Sequence, residues 1–200
     1  MAGVRAVIFD LGRVLVDLDV QGGLWAEVAG VCSHRVAGRE LLEDLQWRWC
    51  TGRLTPEAFH AEVCALHDLR IDRDEFFRRW CEGFSPMPAM EALLREVAAR
   101  VPVGLLSDTD CVHWPYLRGR FPFLSLFARP TLSFEVGHMK PAPEIYRAAA
   151  ANVGVEPAGC FFVDDLPRNV AGARAAGMDA AQFRGPDALR EDLRSRAILP

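Results

Sequence analysis

Three short apolar runs in this chain end abruptly in polar side chains. Ala6, Val7, Ile8 and Phe9 lead to Asp10; Val103, Gly104, Leu105 and Leu106 lead to Ser107 and Asp108; Cys160, Phe161, Phe162 and Val163 lead to Asp164 and Asp165. Gathered in one crevice, Asp10, Asp164 and Asp165 would crowd negative charge. Two carboxylates about 4 Å apart repel by roughly 4 kcal/mol at an effective dielectric of about 20. Such a cluster persists only if some carboxylates are protonated or a cation sits among them. All-oxygen ligation with no His or Cys cluster nearby suits hard Mg²⁺, not zinc. Lys140, in Gly137-His138-Met139-Lys140-Pro141, is the single lysine of a chain that otherwise uses arginine. It is either a solvated loop residue or a further positive charge for the crevice. In the second case three acids, one lysine and one Mg²⁺ sum to zero formal charge, and a phosphate dianion could enter without net repulsion.

The apolar runs are the elements that must position these groups. Runs of this length without polar alternation are strands buried on both faces, as in a parallel sheet. Ala180, Ala181, Gln182 and Phe183 form a weaker fourth. Helical patterns lie between them. Residues 87–100 place Met90, Leu93, Leu94 and Val97 on one face, residues 144–152 are Ala-rich and stop before Gly154, and residues 168–176 end at Gly177. Alternating strand and helix predict an α/β, Rossmann-like doubly wound parallel sheet. Ligands of such sheets bind beyond the carboxyl ends of the strands, where strand order reverses. All three polar sets would project there.

From about Leu18 to Ser85 that rhythm breaks. No convincing strand appears, and apolar residues fall at helical spacing. Thr55-Pro56-Glu57 reads as a helix N-terminus, and Asp72 with Glu75 as a capping box ahead of Phe76, Phe77 and Trp80. Trp25, Trp47, Trp49 and Trp80 all fall in this stretch. The expected organisation is a catalytic core from residues 1–17 and 86–200, with an inserted helical bundle at 18–85.

Half of the 200 residues are apolar and a quarter charged, with net charge -4 and a sequence pI of about 5.7. This balance gives ample core material. It offers neither the concentrated Lys/Arg of a nucleic-acid partner nor that of a polybasic membrane partner. Cys32, Cys50, Cys64, Cys81, Cys111 and Cys160 show no C-x-x-C pair and read as reduced, mostly buried thiols of a cytoplasmic protein. The apolar run before Asp10 is too short for a signal peptide, and no stretch approaches the ~20 apolar residues of a membrane span.

Four ordered segments carry a resemblance to the haloacid dehalogenase superfamily, nearly all of it phosphatases. Residues 7–17 (V-I-F-D-L-G-R-V-L-V-D) resemble its first motif and Leu105-Leu106-Ser107-Asp108-Thr109 its second. Residues 137–141 with Ile145-Tyr146 resemble the third, and residues 161–169 with Gly172, Ala173 and Gly177 the fourth. The helical insert stands where the family's cap belongs. The resemblance implies that Asp10 attacks phosphorus and becomes a transient aspartyl phosphate. It implies Mg²⁺ held by Asp10, the Gly12 carbonyl and Asp164, with Asp165 as an outer ligand or orienter. Ser107 and the Asp108 amide would hold phosphate oxygens, and Lys140 would neutralise charge on Asp10 and the phosphoryl group. Two positions depart from the pattern. Gly12 stands where most members place an Asp that acts as general acid and base, and Asp108 where Asn is common. The D-L-G form is similar to a subgroup of sugar-phosphate phosphatases that includes glucose-1-phosphate phosphatase.

The expected activity is therefore hydrolysis of a small phosphorylated metabolite, by a monomer or homodimer. A catalytically weak binding protein is the alternative, kept open by Gly12; a metal-independent dehalogenase would not need the paired acids. His113 and His138 read as surface or loop-packing residues that could otherwise supply a proton. Cys111 reads as a small packing residue. The tryptophans of the insert read as core, with Trp47 alternatively facing substrate.

Overall fold

The computed structural model describes residues 3–19, 24 and 36–200. Ala6, Val7, Ile8 and Phe9 are all fully buried. Val7 and Phe9 enter one hydrophobic cluster, and Ala6 and Ile8 enter another on the opposite face. Phe161 and Val163 are divided from Cys160 and Phe162 in the same way. Successive strand residues point to opposite faces. A strand covered by helices on both sides must therefore be apolar throughout.

In chain order the elements are β1 (Ala6–Phe9), β2 (Val16–Leu18), α1 (Val36–Cys50), α2 (Pro56–His67), α3 (Arg73–Trp80), β3 (Phe84–Pro86), α4 (Pro88–Ala98) and β4 (Val103–Ser107). They continue with α5 (His113–Arg120), β5 (Thr131–Leu132), α6 (Ser133–Val136), α7 (Pro143–Val153), β6 (Cys160–Asp164), α8 (Pro167–Ala175), β7 (Asp179–Gln182) and α9 (Pro186–Ser195). The main sheet has the order β5-β4-β1-β6-β7, parallel throughout. Helices α4 and α9 cover one face through residues such as Leu94, Val97 and Leu193, and α7 and α8 cover the other through Ile145, Tyr146 and Val170. The chain builds outward from β1 to β4 and β5, then crosses to β6 and β7. Strand order thus reverses at β1, and the crevice opens beyond Phe9.

The α/β doubly wound architecture is the one the pattern predicts. The expected helices correspond to α4, α7 and α8, and the fourth strand begins one residue early, at Asp179. Strand β5 has only two residues and offers no pattern to read. Helix α9 buries Leu189 and Leu193 on an otherwise charged surface.

Between β2 and β3 the described chain is helical, with one correction. Strands β2 and β3 pair antiparallel across the ends of the inserted stretch, Val16 opposite Pro86 and Leu18 opposite Phe84. Three-residue strands, one of them ending in proline, are too short to show alternation. Thr55 Oγ1 accepts the Ala58 amide at 3.2 Å, as a helix cap should. Asp72 accepts the Asp74 and Glu75 amides at 3.1 and 3.0 Å. The reciprocal half of the capping box is not formed, because the Glu75 carboxylate pairs with Arg78 instead, at 2.6 and 2.7 Å. Trp49 stacks on Phe59 with centroids 4.4 Å apart, and Phe76 and Trp80 complete the aromatic core of this region. Trp25 and Cys32 lie outside the described residues.

Candidate active site

Asp10 leaves the end of β1 while its amide still donates to the Val163 carbonyl of β6, at 2.9 Å. Asp164, the last residue of β6, is fully buried. Lys140 reaches both from the loop before α7: its Nζ donates to Asp10 Oδ1 and to Asp164 Oδ2, each at 2.7 Å. The lone lysine is therefore a buried crevice residue, not a solvated one. Asp164 is fixed further by the Leu166 amide at 2.8 Å and by Asn169 Nδ2, 3.0 Å from both carboxylate oxygens. Asn169 is anchored in turn by the Tyr146 hydroxyl, which donates to its carbonyl at 2.8 Å. Asp10, Asp164 and half-buried Asp165 each offer one oxygen, all within 4.8 Å of one another.

Charge in this cluster is out of balance. Burial works against the Lys140 ammonium, but Asp10, Asp108 and Asp164 outweigh it and raise its pKa, so it stays charged. Burial pushes the Asp10 carboxyl up to about 7, against the pull of Lys140 and with help from Asp164. Asp165 is raised as well, by burial and by Asp164. One ammonium is too little for this many carboxylates. The all-oxygen donor set and its unmet negative charge fit a hard cation. The Asn169 Oδ1 atom, buried beside the cluster, has no hydrogen-bond partner among the described residues.

Ser107, at the end of β4, is nearly fully buried. With Gly12 and Asp108 it lines a cavity of about 150 Å³, to which the inserted helices contribute Gln46, Cys50 and Trp80. Asp108 is held by the Lys140 amide, which donates to its Oδ1 at 3.0 Å. The turn after α1 presses on the core at Gly52. There φ is +71° and a Cβ would stand 2.4 Å from the Phe134 carbonyl oxygen, so only glycine fits. Next to it, Arg53 donates to Thr51 Oγ1 at 2.6 Å and to the Gly137 carbonyl at 3.4 Å. Its guanidinium lies 4.2 Å from the centre of the Trp47 ring. Trp47 is 45% exposed, unlike Trp49 and Trp80, which are core as expected.

The remaining candidates are placed as follows. His113 is buried: its Nδ1 lies 2.6 Å from Asp110 Oδ2 and its Nε2 lies 2.9 Å from the Trp80 carbonyl at the end of α3. Both partners are acceptors, which favours the doubly protonated ring. Burial opposes that charge, but Asp110 and the Trp80 carbonyl raise the His113 pKa. The Asp110 pKa is lowered, against the effect of burial, by His113 and by the amides of His113 and Val112. This pair is not apparent from sequence; its only trace is an Asp three residues before a His at a helix start. His138 is exposed, 3.9 Å from Glu144. Cys111 is exposed too, which corrects its reading as a packing residue. Cys50, Cys81 and Cys160 are buried free thiols.

Residues 4–177 match the haloacid dehalogenase-like hydrolases, and the chain belongs to that family. A phosphatase of Mycobacterium tuberculosis is 47% identical over 193 residues, covering 88% of this chain and 86% of that protein. The fructose-1-phosphate phosphatase of Escherichia coli is 26% identical over 181 residues, with 89% and 95% covered. A family enzyme of Bacteroides thetaiotaomicron, crystallised with magnesium and inorganic phosphate, shares the fold with a TM-score of 0.78 at 23% identity, over 91% of this chain and 95% of that one. Within its family the chain is an enzyme of the phosphatase branch. No helix among the described residues is long and apolar enough to cross a membrane.

Proposed function

We propose that the chain hydrolyses small phosphomonoesters through attack of Asp10 on phosphorus, with Mg²⁺ as its metal. The observation that carries this reading is the Lys140 ammonium, 2.7 Å from both Asp10 and Asp164 where strand order reverses. An ammonium on one oxygen of Asp10 orients the carboxylate and leaves its other oxygen to attack. Asp10, the Gly12 carbonyl and Asp164 would hold the Mg²⁺, with Asp165 outside them. Bound there, the metal supplies positive charge against the phosphoryl oxygens.

The Ser107 hydroxyl and the Asp108 amide would take phosphate oxygens, and Lys140 would offset the charge that develops on them. The leaving group would enter the cavity between Ser107 and Gln46. A sugar or a short polyol in that place agrees with a relative named as a fructose-1-phosphate phosphatase. The inserted helices, as a cap resting on Gly52 and Arg53, would keep water from the reacting centre.

The test is hydrolysis of para-nitrophenyl phosphate and of a panel of sugar and polyol phosphates, with Mg²⁺ and after its removal by EDTA. The expected result is turnover that EDTA abolishes and Mg²⁺ restores. Turnover indifferent to EDTA would overturn the metal assignment, and no turnover of any ester would overturn the reading itself.

A further inference from the structure

A phosphomonoesterase must protonate its leaving group, and the residue two positions after the nucleophile cannot do so here. Gly12 has no side chain, and none of the described residues stands within 4 Å of the place its Cβ would occupy. We infer that Asp108 is the acid and base of the reaction, protonating the leaving oxygen in the first step and deprotonating water in the second. The inference rests on the phosphomonoesterase reading above.

Among the described residues, the titratable ones that line the cavity beside the phosphate clamp are Cys50, Asp108, Asp110 and His113. Asp110 and His113 are engaged with each other at 2.6 Å, and the second nitrogen of His113 faces the Trp80 carbonyl. The Cys50 thiol is held well above its usual pKa by burial and by Asp110 and Asp108, far from the range in which a general acid works well. Asp108 remains. Its Oδ1 is fixed by the Lys140 amide at 3.0 Å, and Oδ2 has no hydrogen-bond partner among the described residues. The carboxyl is thus oriented at one oxygen and available at the other, on a residue that lines the cavity with Gly12 and Ser107. Burial raises its pKa more than Lys140 lowers it, so this carboxyl holds a proton more readily than a free one.

The chemistry balances. Asp10 forms a bond to phosphorus as the ester P–O bond breaks, and the proton of Asp108 passes to the departing alkoxide. Water then enters the position the alcohol has left, in line with Asp10. Asp108 takes one of its protons as the new P–O bond forms and the bond to Asp10 breaks. Inorganic phosphate is released and both carboxyl groups return to their starting states. The same face of the phosphorus is used in both steps, so one residue serves both.

The test is Asp108→Asn, which keeps an acceptor for the Lys140 amide and removes the proton. An aryl ester with a good leaving group needs no acid; an alkyl ester does. Rapid-mix kinetics on 2,4-dinitrophenyl phosphate and glycerol 2-phosphate should separate them. In the variant, phosphorylation of Asp10 by the alkyl ester should slow by about 10²–10⁴-fold, and by the aryl ester by less than about 10-fold. The aryl ester should also give a stoichiometric burst followed by slow turnover, because the second step lacks its base. Gly12→Asp in the same chain should restore alkyl ester turnover. Equal slowing of both esters, or of neither, would overturn the assignment. The readout is a ratio on one sample, so partial unfolding leaves it unmoved. Wild-type turnover of both esters measures the underlying reading separately.

Discussion

Two buried charge clusters sit a few residues beyond neighbouring strands, and they are built on opposite principles. Around Lys140, one ammonium serves Asp10 and Asp164, and half-buried Asp165 adds a further carboxyl group. Around His113, one imidazole faces one carboxylate and one carbonyl, and charge is balanced within the cluster. A balanced buried pair joins parts of a molecule, here the start of α5 to the end of α3. An unbalanced one is complete only when something arrives. The difference separates a structural joint from a place where a ligand binds, although both consist of buried acids beside a base.

The largest effect expected on the unbalanced side is from Asp10→Asn. Initial rates on any productive ester should fall at least ~10⁴-fold, with the thermal midpoint close to that of the wild type. Activity surviving this change would place the nucleophile elsewhere. Lys140→Met should lower turnover by about 10²–10³-fold. It should also tighten Mg²⁺ in calorimetry, because the competing ammonium is gone from an acidic cluster. Weaker metal binding in this variant would mean that the lysine organises the acids more than it repels the ion.

On the balanced side, His113→Leu leaves Asp110 buried without a counter-charge. Such losses cost about 3–5 kcal/mol, or roughly 10 °C in a chain of this size. Calorimetric scans should show this fall. The pH dependence is a finer probe. The folded-state pKa of His113 is raised, so its contribution is complete below about 6.5 and is lost as pH rises through the folded value. That of Asp110 is lowered, so its contribution is complete above about 3.9 and is lost as pH falls through the folded value. The stability gap between wild type and the Asp110→Asn/His113→Leu double variant should therefore be widest between about pH 4 and 6.5. A gap that is flat into alkaline pH would show that the imidazole is neutral in the fold.

The sheet and its crevice were legible because β1, β4 and β6 are buried on both faces, and that leaves an uninterrupted apolar signature before each polar end. Lys140 stood out by being the only lysine. What sequence could not supply was distance: that its ammonium would bridge Asp10 and Asp164 follows from the packing of α7 and its loop against β6. The joint at His113 left still less trace, since its second partner is a backbone carbonyl 33 residues away, which any side chain at position 80 would provide. The β2–β3 ribbon and β5 were too short for a period of two to register. In the sequence Asp108 is only a departure from the commoner Asn; that it lines one cavity with Gly12 is a matter of the fold.

The ribbon has a consequence of its own. Val16 to Leu18 and Phe84 to Pro86 run antiparallel in register, so the chain leaves the core and re-enters it at adjacent points. Paired residues in such a ladder stand about 4.5–5.5 Å apart. As a cassette on a two-strand stem, the helices between them could be exchanged without moving Asp10. The Rossmann-like body could keep one reaction while successive cassettes present it with different molecules. Each replacement would have to meet the core at the same places, among them a glycine against Phe134, a carbonyl for His113 and apolar side chains against Val112 and Met139.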